Sequence, residues 1–453
     1  MCGIVGIYNH ENAADLAALA MFAEQHRGQE SCGIAVSDEI TFKLRKKMGL
    51  VKEVFTANEL MQLKGSIAVG HVRYPTRGAS SEYNSQPHVV ETLAGPSFAL
   101  ASNGDIVNYQ EIREKLESKG VYFSSYNDGE LILKYIIYKV EKEDFNIVDA
   151  IRSLMKNIKG AFSTVLATKN ELYIFRDPYA IRPIIYGKLY DDTVVVASES
   201  CALDILAPEW KKEVLPSEII VVNERGIRSI KDDPNKYRKY DSNKHCIFEQ
   251  IYFSRPDSYE FGENVYEVRE RIGAKLAESD DIDVDYVVPV PDSANFIAMG
   301  YATKKDAKFE MGLIRNHYVG RTFIKPEQTI RDESVKQKFN PLPNFFDNKK
   351  IALVDDSIVR GTTIKKLVRL LKNSGAAEVH IRIGSPPVKY SCYYGIDTPT
   401  NKELIVNNRS IEEIREFVGA DSIKYLKMEQ LRDCVAEPEK FCYSCFDGKY
   451  PVE

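Results

Sequence analysis

The segment IALVDDSIVRGTT, residues 351–363, is the most informative stretch of the sequence. It begins with a short apolar run that is typical of a buried strand, and Asp355 and Asp356 end that run. A short loop leads from there into a helix. The apolar residues of that helix recur with helical spacing: Ile364, Leu367, Val368 and Leu371. A buried strand, a polar loop and a helix in this order predict an α/β domain.

The loop between this strand and helix has the composition of an anion site. In open α/β sheets, ligands bind beyond the carboxyl ends of the strands, and free N–H groups at a helix N-terminus suit a phosphate. The residues that could cradle it are Ser357, Arg360, Gly361, Thr362 and Thr363. Asp355 and Asp356 would repel a phosphate, so we expect them to face sugar hydroxyls or Mg²⁺. The alternative is an ordinary strand end with a helix cap, where Asp and Ser are common.

Strands and helices alternate on both sides of this segment. Helical periodicity covers residues 265–279 and 362–376, and short apolar strands are predicted at 285–291, 309–316, 349–357 and 378–386. Continuous apolar runs indicate strands that are covered on both faces. The second half of the chain is therefore predicted to form a doubly wound parallel sheet.

The run at 351–363 resembles the phosphoribosyl pyrophosphate (PRPP) motif of type I phosphoribosyltransferases. The resemblance implies a 5′-phosphate on residues 357–363, with ribose hydroxyls and Mg²⁺ near Asp355 and Asp356. PVPDSA, residues 289–294, resembles the family's pyrophosphate loop, with Ser293 near the metal. Residues 315–340 resemble the loop that closes over PRPP. Its basic residues are Arg315, Arg321, Lys325, Arg331, Lys336 and Lys338.

The first half of the chain follows a different pattern. Alternating strands occur in series, and four helical segments lie between them, at 14–28, 108–120, 128–142 and 147–160. This order predicts a layered α+β domain. Residues 231–245 are charged and lack aliphatic side chains, so they either connect two domains, 2–235 and 245–453, or form one long loop inside a domain.

Composition narrows the possible partners and location. The net charge of −5 gives no general attraction to nucleic acid or acidic membranes, and no run approaches the roughly 20 apolar residues of a membrane span. We also find no pattern of a secretion signal, so we expect a cytoplasmic protein that acts on small molecules, with eight reduced cysteines.

Four of the eight cysteines could form a metal site. Cys442 and Cys445 have a common metal-ligand spacing, and Cys246 and Cys392 lie far away in sequence. Taken alone, this pattern is compatible with zinc or with no metal. The surrounding segments HCIFEQIYFSRPDS, YSCYYGIDTPT and CYSCFDGKYP resemble the iron–sulfur subgroup of glutamine PRPP amidotransferases. The resemblance implies a [4Fe–4S] cluster on these four cysteines, acting as a structural clamp.

Cys2 raises a separate question. It is either a small apolar residue that begins a buried strand or, after loss of Met1, a thiol beside its own basic α-amine. MCGIVGIY, EQHRGQESCGIAV, GHVRYPTRG, ASNGDIVN and NDGELIL resemble segments of N-terminal-nucleophile glutaminases. Arg73 can bind the carboxylate of glutamine and Asp128 its ammonium. The resemblance implies Cys2 as the nucleophile, with the Asn103 side chain and the Gly104 N–H as oxyanion donors.

Together the motifs identify the sequence as a member of the glutamine PRPP amidotransferase family. The membership implies an αββα glutaminase domain followed by a type I phosphoribosyltransferase domain. The implied reaction hydrolyses glutamine to glutamate and ammonia, and the ammonia then displaces pyrophosphate from C1 of PRPP to give 5-phosphoribosylamine in purine synthesis. Mg²⁺ and the cluster are the implied cofactors. A homo-oligomer, a tetramer by resemblance, is the implied assembly.

The sequence departs from the family pattern near the glutamine site. Ser102, Asn127 and Gly129 replace the usual residues, and Arg77 stands where a small residue is usual. Two other functions stay open. A different glutamine amidotransferase would not need the run at 351–363, and a PRPP or nucleotide sensor with a silent glutaminase half would not need Cys2, Arg73 and Asp128.

Overall fold

The computed structural model describes residues 1–74, 79–91, 97–239, 242–316 and 338–452. Its strands are β1 Gly3–Tyr8, β2 Ser31–Ser37, β3 Phe42–Met48, β4 Ile67–Arg73, β5 His88–Val90, β6 Phe98–Ile106, β7 Gly160–Ala167, β8 Leu172–Arg176, β9 Ile185–Lys188, β10 Val194–Ala197, β11 Trp210–Glu213, β12 Glu218–Asn223, β13 Gly226–Lys231, β14 His245–Cys246, β15 Tyr259–Glu260, β16 Glu263–Asn264, β17 Tyr286–Pro289, β18 Lys308–Phe309, β19 Leu313–Arg315, β20 Phe339–Pro341, β21 Lys350–Asp355, β22 Glu378–Ile383, β23 Ser422–Tyr425 and β24 Phe441–Cys442.

The α-helices of the same residues are α1 Ala13–Ala23, α2 Val51–Val54, α3 Ala57–Gln62, α4 Tyr109–Glu117, α5 Asp128–Lys142, α6 Ile147–Asn157, α7 Ser200–Asp204, α8 Val265–Glu278, α9 Asn295–Lys305, α10 Thr362–Asn373, α11 Ile411–Val418, α12 Met428–Arg432 and α13 Ser444–Asp447. Short 3₁₀ turns cover Glu82–Asn84, Pro234–Lys236, Asn401–Glu403, Ile405–Asn407 and Pro438–Lys440, and a π-helical turn covers Glu249–Phe253. Within the described ranges, no helix is both long enough and apolar enough to cross a bilayer.

The first half is a four-layer αββα sandwich. A seven-stranded sheet in the order β11-β9-β10-β1-β4-β2-β3 faces a six-stranded sheet in the order β13-β12-β8-β7-β6-β5, and all their pairings are antiparallel. Apolar side chains of both sheets, such as Ile4, Val69 and Val165, share one core between the layers. Helix α1 covers the outer face of the first sheet, and α4–α6 cover the outer face of the second. The predicted α+β fold is confirmed.

The second half contains the predicted doubly wound sheet. Its five strands are parallel and lie in the order β18-β17-β21-β22-β23. Helices α8 and α9 pack on one face, and α10 and α11 pack on the other. The buried face of α10 consists of the four residues that the periodicity predicts, Ile364, Leu367, Val368 and Leu371. The run IALVDD therefore lies in the centre of the sheet, with its acids at the carboxyl end.

One predicted strand is wrong in extent. Residues 309–316 do not form a single strand, because β18 ends at Phe309 and β19 begins at Leu313. Strand β18 belongs to the parallel sheet, whereas β19 pairs with β20 in a separate ribbon. Gly312 lies between them with its Cα against the ring of Phe346, where a Cβ would come within 2.5 Å of the ring. Residues 310–312 carry the chain from the sheet to the ribbon, and glycine at 312 leaves room for the Phe346 ring.

The segment that enters the second half lies against the first half. The Lys244 N–H donates to the Tyr179 carbonyl (2.8 Å), and the Cys246 N–H donates to the Ile181 carbonyl (3.1 Å). Residues 245–246 also pair in parallel with β24 near the C-terminus. The π-helical turn at 249–253 follows directly and is almost wholly buried. These contacts bring both chain halves and the C-terminal segment together, and sequence patterns alone do not predict them.

Candidate active sites

Cys2 lies between the two sheets of the first half. It is 5% exposed, its N–H donates to Asn103 Oδ1 (3.3 Å), and its thiol donates to the Tyr74 carbonyl (3.6 Å). Because Oδ1 of Asn103 accepts from Cys2, the amide nitrogen Nδ2 points the other way. That buried Nδ2 has no hydrogen-bond partner among the described residues. The structure thus brings Cys2 together with an amide donor that a bound oxyanion could use.

Gly104 follows Asn103 on β6 and is held by close packing on two sides. Its φ of 157° and a would-be Cβ at 1.9 Å from the Ala161 carbonyl oxygen exclude any side chain. Gly395, from the second half of the chain, packs against the Gly104 backbone, because its own Cβ would lie 3.0 Å from the Gly104 carbonyl. The backbone beside Cys2 is therefore supported by both halves.

Arg73 and Asp128 occupy fixed, buried positions at the edges of this site. Arg73 ends β4, which pairs with β1, and its Nη1 donates to Glu30 Oε2 (2.7 Å). Asp128 begins α5, the helix that packs on β6, and Asn127 caps that helix by accepting from the Gly129 N–H (2.8 Å). Glu30 lies in the segment EQHRGQESCGIAV, but the sequence pattern does not distinguish it from a surface acid.

Three of the residues that depart from the family pattern form one local network. Gln86 exchanges two hydrogen bonds with the Ser102 backbone, at 2.8 and 3.1 Å, and its Oε1 lies 2.5 Å from where a Cβ of Gly129 would be. Asn127 Oδ1 lies 3.1 Å from His88 Nε2. Glycine at 129 thus makes room for Gln86, which in turn holds Ser102. Arg77 lies outside the described residues.

The second site lies at the carboxyl end of β21. Asp356 is buried, and its two oxygens accept from Ser293 Oγ and Ser357 Oγ, both at 2.6 Å. The Asp356 N–H donates to Asp355 Oδ1 (2.9 Å). Burial and the mutual repulsion of the two acids raise the pKa of Asp355 well above its usual value, and burial also raises the pKa of Asp356. These oxygens are of the type that Mg²⁺ prefers.

The loop after Asp356 leads into α10 through Gly361. Gly361 has a φ of 74°, in the left-handed region that favours glycine, and a Cβ would lie 2.7 Å from Ile405 Cδ1. Thr362 and Thr363 are exposed in the first turn of the helix. Arg360 lies apart from them, since its Nη2 donates to the exposed Glu403 (3.0 Å).

The basic segment 315–340 is only partly described. Arg315 Nη1 forms an ion pair with Asp292 in the loop after β17, and Lys338 precedes β20. The other basic residues of the segment lie outside the described residues: Arg321, Lys325, Arg331 and Lys336. The structure therefore places one end of the segment beside the predicted pyrophosphate loop.

The four predicted cluster cysteines line one cavity. Cys246, Cys392, Cys442 and Cys445 surround it together with Arg182, Thr398, Ser444 and apolar or aromatic side chains. Burial raises the pKa of Cys246 to about 12 and that of Cys442 to about 11. Within the described ranges, no group of three or more His, Cys, Asp or Glu side chains is placed to hold a metal ion. The buried Met1 lies beside this cavity, with its Sδ against the Arg182 guanidinium.

Comparison with known proteins agrees with this division into two sites. The family model described as a glutamine amidotransferase domain matches residues 71–204, and the one described as a phosphoribosyl transferase domain matches residues 257–383. The chain is 47% identical to chloroplastic amidophosphoribosyltransferase 1 of Arabidopsis thaliana, over 100% of its own length and 79% of that protein. It is 39% identical to amidophosphoribosyltransferase of Bacillus subtilis (strain 168), over 100% of its length and 94% of that protein.

The chain belongs to the amidophosphoribosyltransferase family. It is an enzyme with a glutamine amidotransferase domain and a phosphoribosyltransferase domain. A solved structure of glutamine PRPP amidotransferase from B. subtilis, complexed with ADP and GMP, superposes on it with a TM-score of 0.91 and 38% identity. That match covers 100% of this chain and 98% of the other. A structure described as the allosteric regulatory enzyme of purine biosynthesis matches 100% of this chain and 96% of its own with a TM-score of 0.92 and 38% identity.

This amidophosphoribosyltransferase family member also has a buried charged network between its halves that the sequence reasoning missed. Arg27 contacts Glu199 of the first half and Glu249 of the second. Arg269 on α8 donates to the carbonyls of Gln250 (2.9 Å) and Ser254 (2.7 Å). Arg27 lies in the segment EQHRGQESCGIAV, and Glu249 lies in HCIFEQIYFSRPDS. Only the three-dimensional contacts reveal their pairing.

Proposed function

We propose that the protein is a glutamine-dependent amidophosphoribosyltransferase that makes 5-phosphoribosylamine from PRPP for purine synthesis. The observation that carries the proposal is the presence of two candidate sites in one chain of this family. Cys2 lies against Asn103 in the first half, and the acid pair with its phosphate loop lies at the sheet edge of the second. A PRPP sensor with a silent first half would not need the buried thiol and amide donor together.

In the first reaction, Arg73 and Asp128 would bind the carboxylate and ammonium of glutamine. The Cys2 thiol attacks the carboxamide carbon, and the oxygen that becomes negative accepts from Asn103 Nδ2 and the Gly104 N–H. The carbon–nitrogen bond breaks, ammonia leaves with the proton of the thiol, and a thioester remains. Water then hydrolyses the thioester to glutamate and restores the thiol. This chemistry needs a basic group beside Cys2, which its α-amine supplies once Met1 is removed.

In the second reaction, ammonia attacks C1 of PRPP and pyrophosphate leaves. Ser357, Gly361, Thr362 and Thr363 would hold the 5′-phosphate at the start of α10. Asp355 and Asp356 would hold the ribose hydroxyls, and positioning accounts for much of the rate because ammonia is already a good nucleophile. We assign no phosphate contact to Arg360 in the state described, since its guanidinium is paired with Glu403.

Two cofactors belong to the proposal. Mg²⁺ fits the oxygen donors of Asp355, Asp356 and Ser293, and when bound it would neutralise the charge of the leaving pyrophosphate. A [4Fe–4S] cluster matches the donor set of Cys246, Cys392, Cys442 and Cys445, because it takes four thiolates. When bound, it would act as a structural clamp. A cytoplasmic location and a homo-oligomer, a tetramer by resemblance, remain predictions.

The decisive experiment separates the two reactions. Pyrophosphate release from PRPP is measured with glutamine and, separately, with concentrated ammonium at alkaline pH. The parent protein should use both nitrogen sources. The Cys2→Ala variant should lose the glutamine-dependent reaction and keep the ammonia-dependent one, because only thioester formation is removed. Release with neither source, by protein purified without oxygen and supplied with Mg²⁺, would overturn the proposal.

The mature N-terminus provides a second test. If the α-amine of Cys2 takes the proton, the active chain must begin at Cys2, since in a peptide bond that nitrogen is not basic. Intact-mass measurement of active protein should show the loss of one methionine. Fully active protein that keeps Met1 would contradict the proposed role of the amine.

A further inference from the structure

Arg27 holds the backbone of the candidate nucleophile. It follows helix α1, it is fully buried, and its Nε donates to the Cys2 carbonyl oxygen (2.9 Å). That carbonyl belongs to the peptide between Cys2 and Gly3, the residue at which β1 begins. The hydrogen bond therefore fixes the orientation of the peptide that follows Cys2, and with it the direction of the Cys2 side chain.

Arg27 is itself held by a residue from the other half of the chain. Its Nη2 donates to Glu249 Oε1 (2.9 Å), and its Nη1 donates to Glu249 Oε2 (3.2 Å). Nη1 also contacts Glu199 of the first half. A two-point contact between a planar guanidinium and a carboxylate fixes the angle of the guanidinium as well as its position. Glu249 thus determines how Arg27 presents Nε to Cys2.

Glu249 has little freedom to move. It begins the π-helical turn that follows Cys246, and it is 0% exposed. Besides Arg27, its carboxylate accepts from Ser254 Oγ (3.1 Å) and Arg182 Nη1 (3.3 Å). Four donors therefore converge on its two oxygens. π-helical turns occur frequently at functional sites, and this one aims a buried carboxylate at the first half of the chain.

The negative charge of Glu249 balances the buried positive charges around it. Arg27 and Arg182 are two buried cations that both contact it, and Glu199 is the other buried carboxylate in contact with Arg27. Burial and the charges of Glu199 and Glu249 raise the pKa of the nearby Glu260 well above its usual value. Removing one partner of such a buried pair leaves an uncompensated charge, which is unfavourable, so the guanidinium would turn toward the partners that remain. For Arg27, reorientation would release the Cys2 carbonyl.

We propose that Glu249 is a positioning residue for glutamine hydrolysis: through Arg27 it fixes the Cys2 backbone, and so holds the thiol in line with the oxyanion donors. The inference rests on the proposed function, because it assigns a role in the glutaminase reaction to a residue of the phosphoribosyltransferase half. It predicts that a change in the second half alters chemistry in the first without touching glutamine.

The test compares two matched substitutions, Glu249→Gln and Glu260→Gln. Both replace a buried carboxyl with an amide of the same shape, and only the first removes a charge that Arg27 contacts directly. Glu249→Gln should lower kcat for glutamine hydrolysis by about 10²-fold, the loss typical of a small misplacement of reacting groups. The KM for glutamine should stay nearly unchanged, because Arg73 and Asp128 remain. Glu260→Gln should leave both constants close to the parent values.

Two further readouts distinguish positioning from a general loss of structure. Ammonia-dependent synthesis by Glu249→Gln should equal that of the parent, because the second site is intact. Alkylation of Cys2 by iodoacetamide should be slower in Glu249→Gln than in Glu260→Gln. Glu249→Asp, which keeps the charge, should recover part of the lost kcat. The double variant Arg27→Gln with Glu249→Gln should be no worse than Arg27→Gln alone, because Glu249 acts through Arg27.

Several results would overturn the inference. An unchanged kcat in Glu249→Gln would do so, and so would equal losses of glutamine- and ammonia-dependent synthesis, which indicate a structural role. Equal effects of Glu249→Gln and Glu260→Gln would also contradict it. A parent protein that uses neither glutamine nor ammonia would instead overturn the proposed function, and the ammonia assay distinguishes that failure from the others.

Discussion

The two candidate sites are built in opposite ways. The glutaminase site is assembled from residues that are far apart in sequence, such as Cys2, Arg73 and Asn103, and neighbouring side chains or backbone groups already hold each of them. The phosphoribosyl site comes mainly from one continuous run, residues 351–363. Its two acids lie at a sheet end, Asp356 buried and Asp355 partly buried, and desolvation raises the pKa of both.

This difference shows which contacts position the reacting groups in each site. In the first half, contacts across two sheets and from the second half fix the reacting groups before any substrate arrives. In the second half, the fold fixes the backbone of the loop. A proton or a bound cation is needed to neutralise Asp355 and Asp356. We therefore expect the first site to respond most to changes in its supports, and the second to changes in its own ligands.

The largest expected effect concerns the acids of the second site. Asp355→Asn combined with Asp356→Asn should lower both glutamine- and ammonia-dependent synthesis by about 10²-fold or more, since contacts to the sugar and the metal are lost together. Glutamine hydrolysis without PRPP should persist, because Cys2 and its supports are untouched. Both rates are measured on the same preparation. Unimpaired ammonia-dependent synthesis would contradict the assignment of these acids.

The next effect concerns a buried acid under the first site. Glu24 lies against Gly3 and accepts from the Glu199 N–H (2.7 Å), and burial raises its pKa from 4.5 to about 8. Between these values the native chain holds a proton that the unfolded chain releases, so stability should fall as pH rises. The slope is about 1.4 kcal/mol per pH unit for one such group.

The substitution Glu24→Gln removes this proton. Relative to the parent, the variant should gain stability steadily from about pH 4.5 to about pH 8. Thermal unfolding at several pH values in this window measures the effect, with the exposed Glu11→Gln as the control. Parallel profiles for parent and Glu24→Gln would show that Glu24 does not titrate in this window.

A smaller effect is expected at the glycine that begins α10. Gly361→Ala should cost about 1–2 kcal/mol for the left-handed backbone, in addition to the contact with Ile405, and should raise the KM for PRPP because the phosphate loop is displaced. Gly226→Ala is a matched control: its φ is 101°, and nothing lies within 4 Å of the added Cβ. It should lose comparable stability without changing the KM. Equal KM values for the two variants would contradict the assignment of this loop to the PRPP site.

The smallest effect is expected at Arg360. Its ion pair with Glu403 joins two side chains that are about half exposed, at 45% and 49%, so Arg360→Ala should change the free energy of unfolding by less than about 1 kcal/mol. The KM for PRPP should change little. If it rises steeply in Arg360→Ala and falls in Glu403→Ala, Arg360 leaves Glu403 to bind the substrate, as the family resemblance implies.

The sequence predicted those parts that local patterns determine. The helical period of α10, the limits of α5 and the buried strand before Asp355 follow from residues next to one another in the chain. The nucleophile and its donors were predicted from motifs. The residues that support the site were not predicted. Glu30, Gln86 and Glu249 act through contacts with residues far away in the sequence, and a sequence does not distinguish a buried carboxylate from an exposed one. The single strand predicted at 309–316 was wrong, because β18 and β19 pair with different strands and a local pattern does not show which partner a strand has.

The packing of Gly395 against Gly104 bears on how such enzymes can be recombined. If every residue that packs around the glutaminase site came from the first half, that half could be fused to a different acceptor domain with only a new linker. Here the segment 392–398 of the second half packs against the site through Gly395. Arg182 of the first half donates to the Tyr394 carbonyl of the same segment (2.7 Å). A chimera that carries only residues 1–235 should therefore be a poor glutaminase, and one that also carries the 245–254 and 392–398 segments should be a better one, because it keeps these contacts.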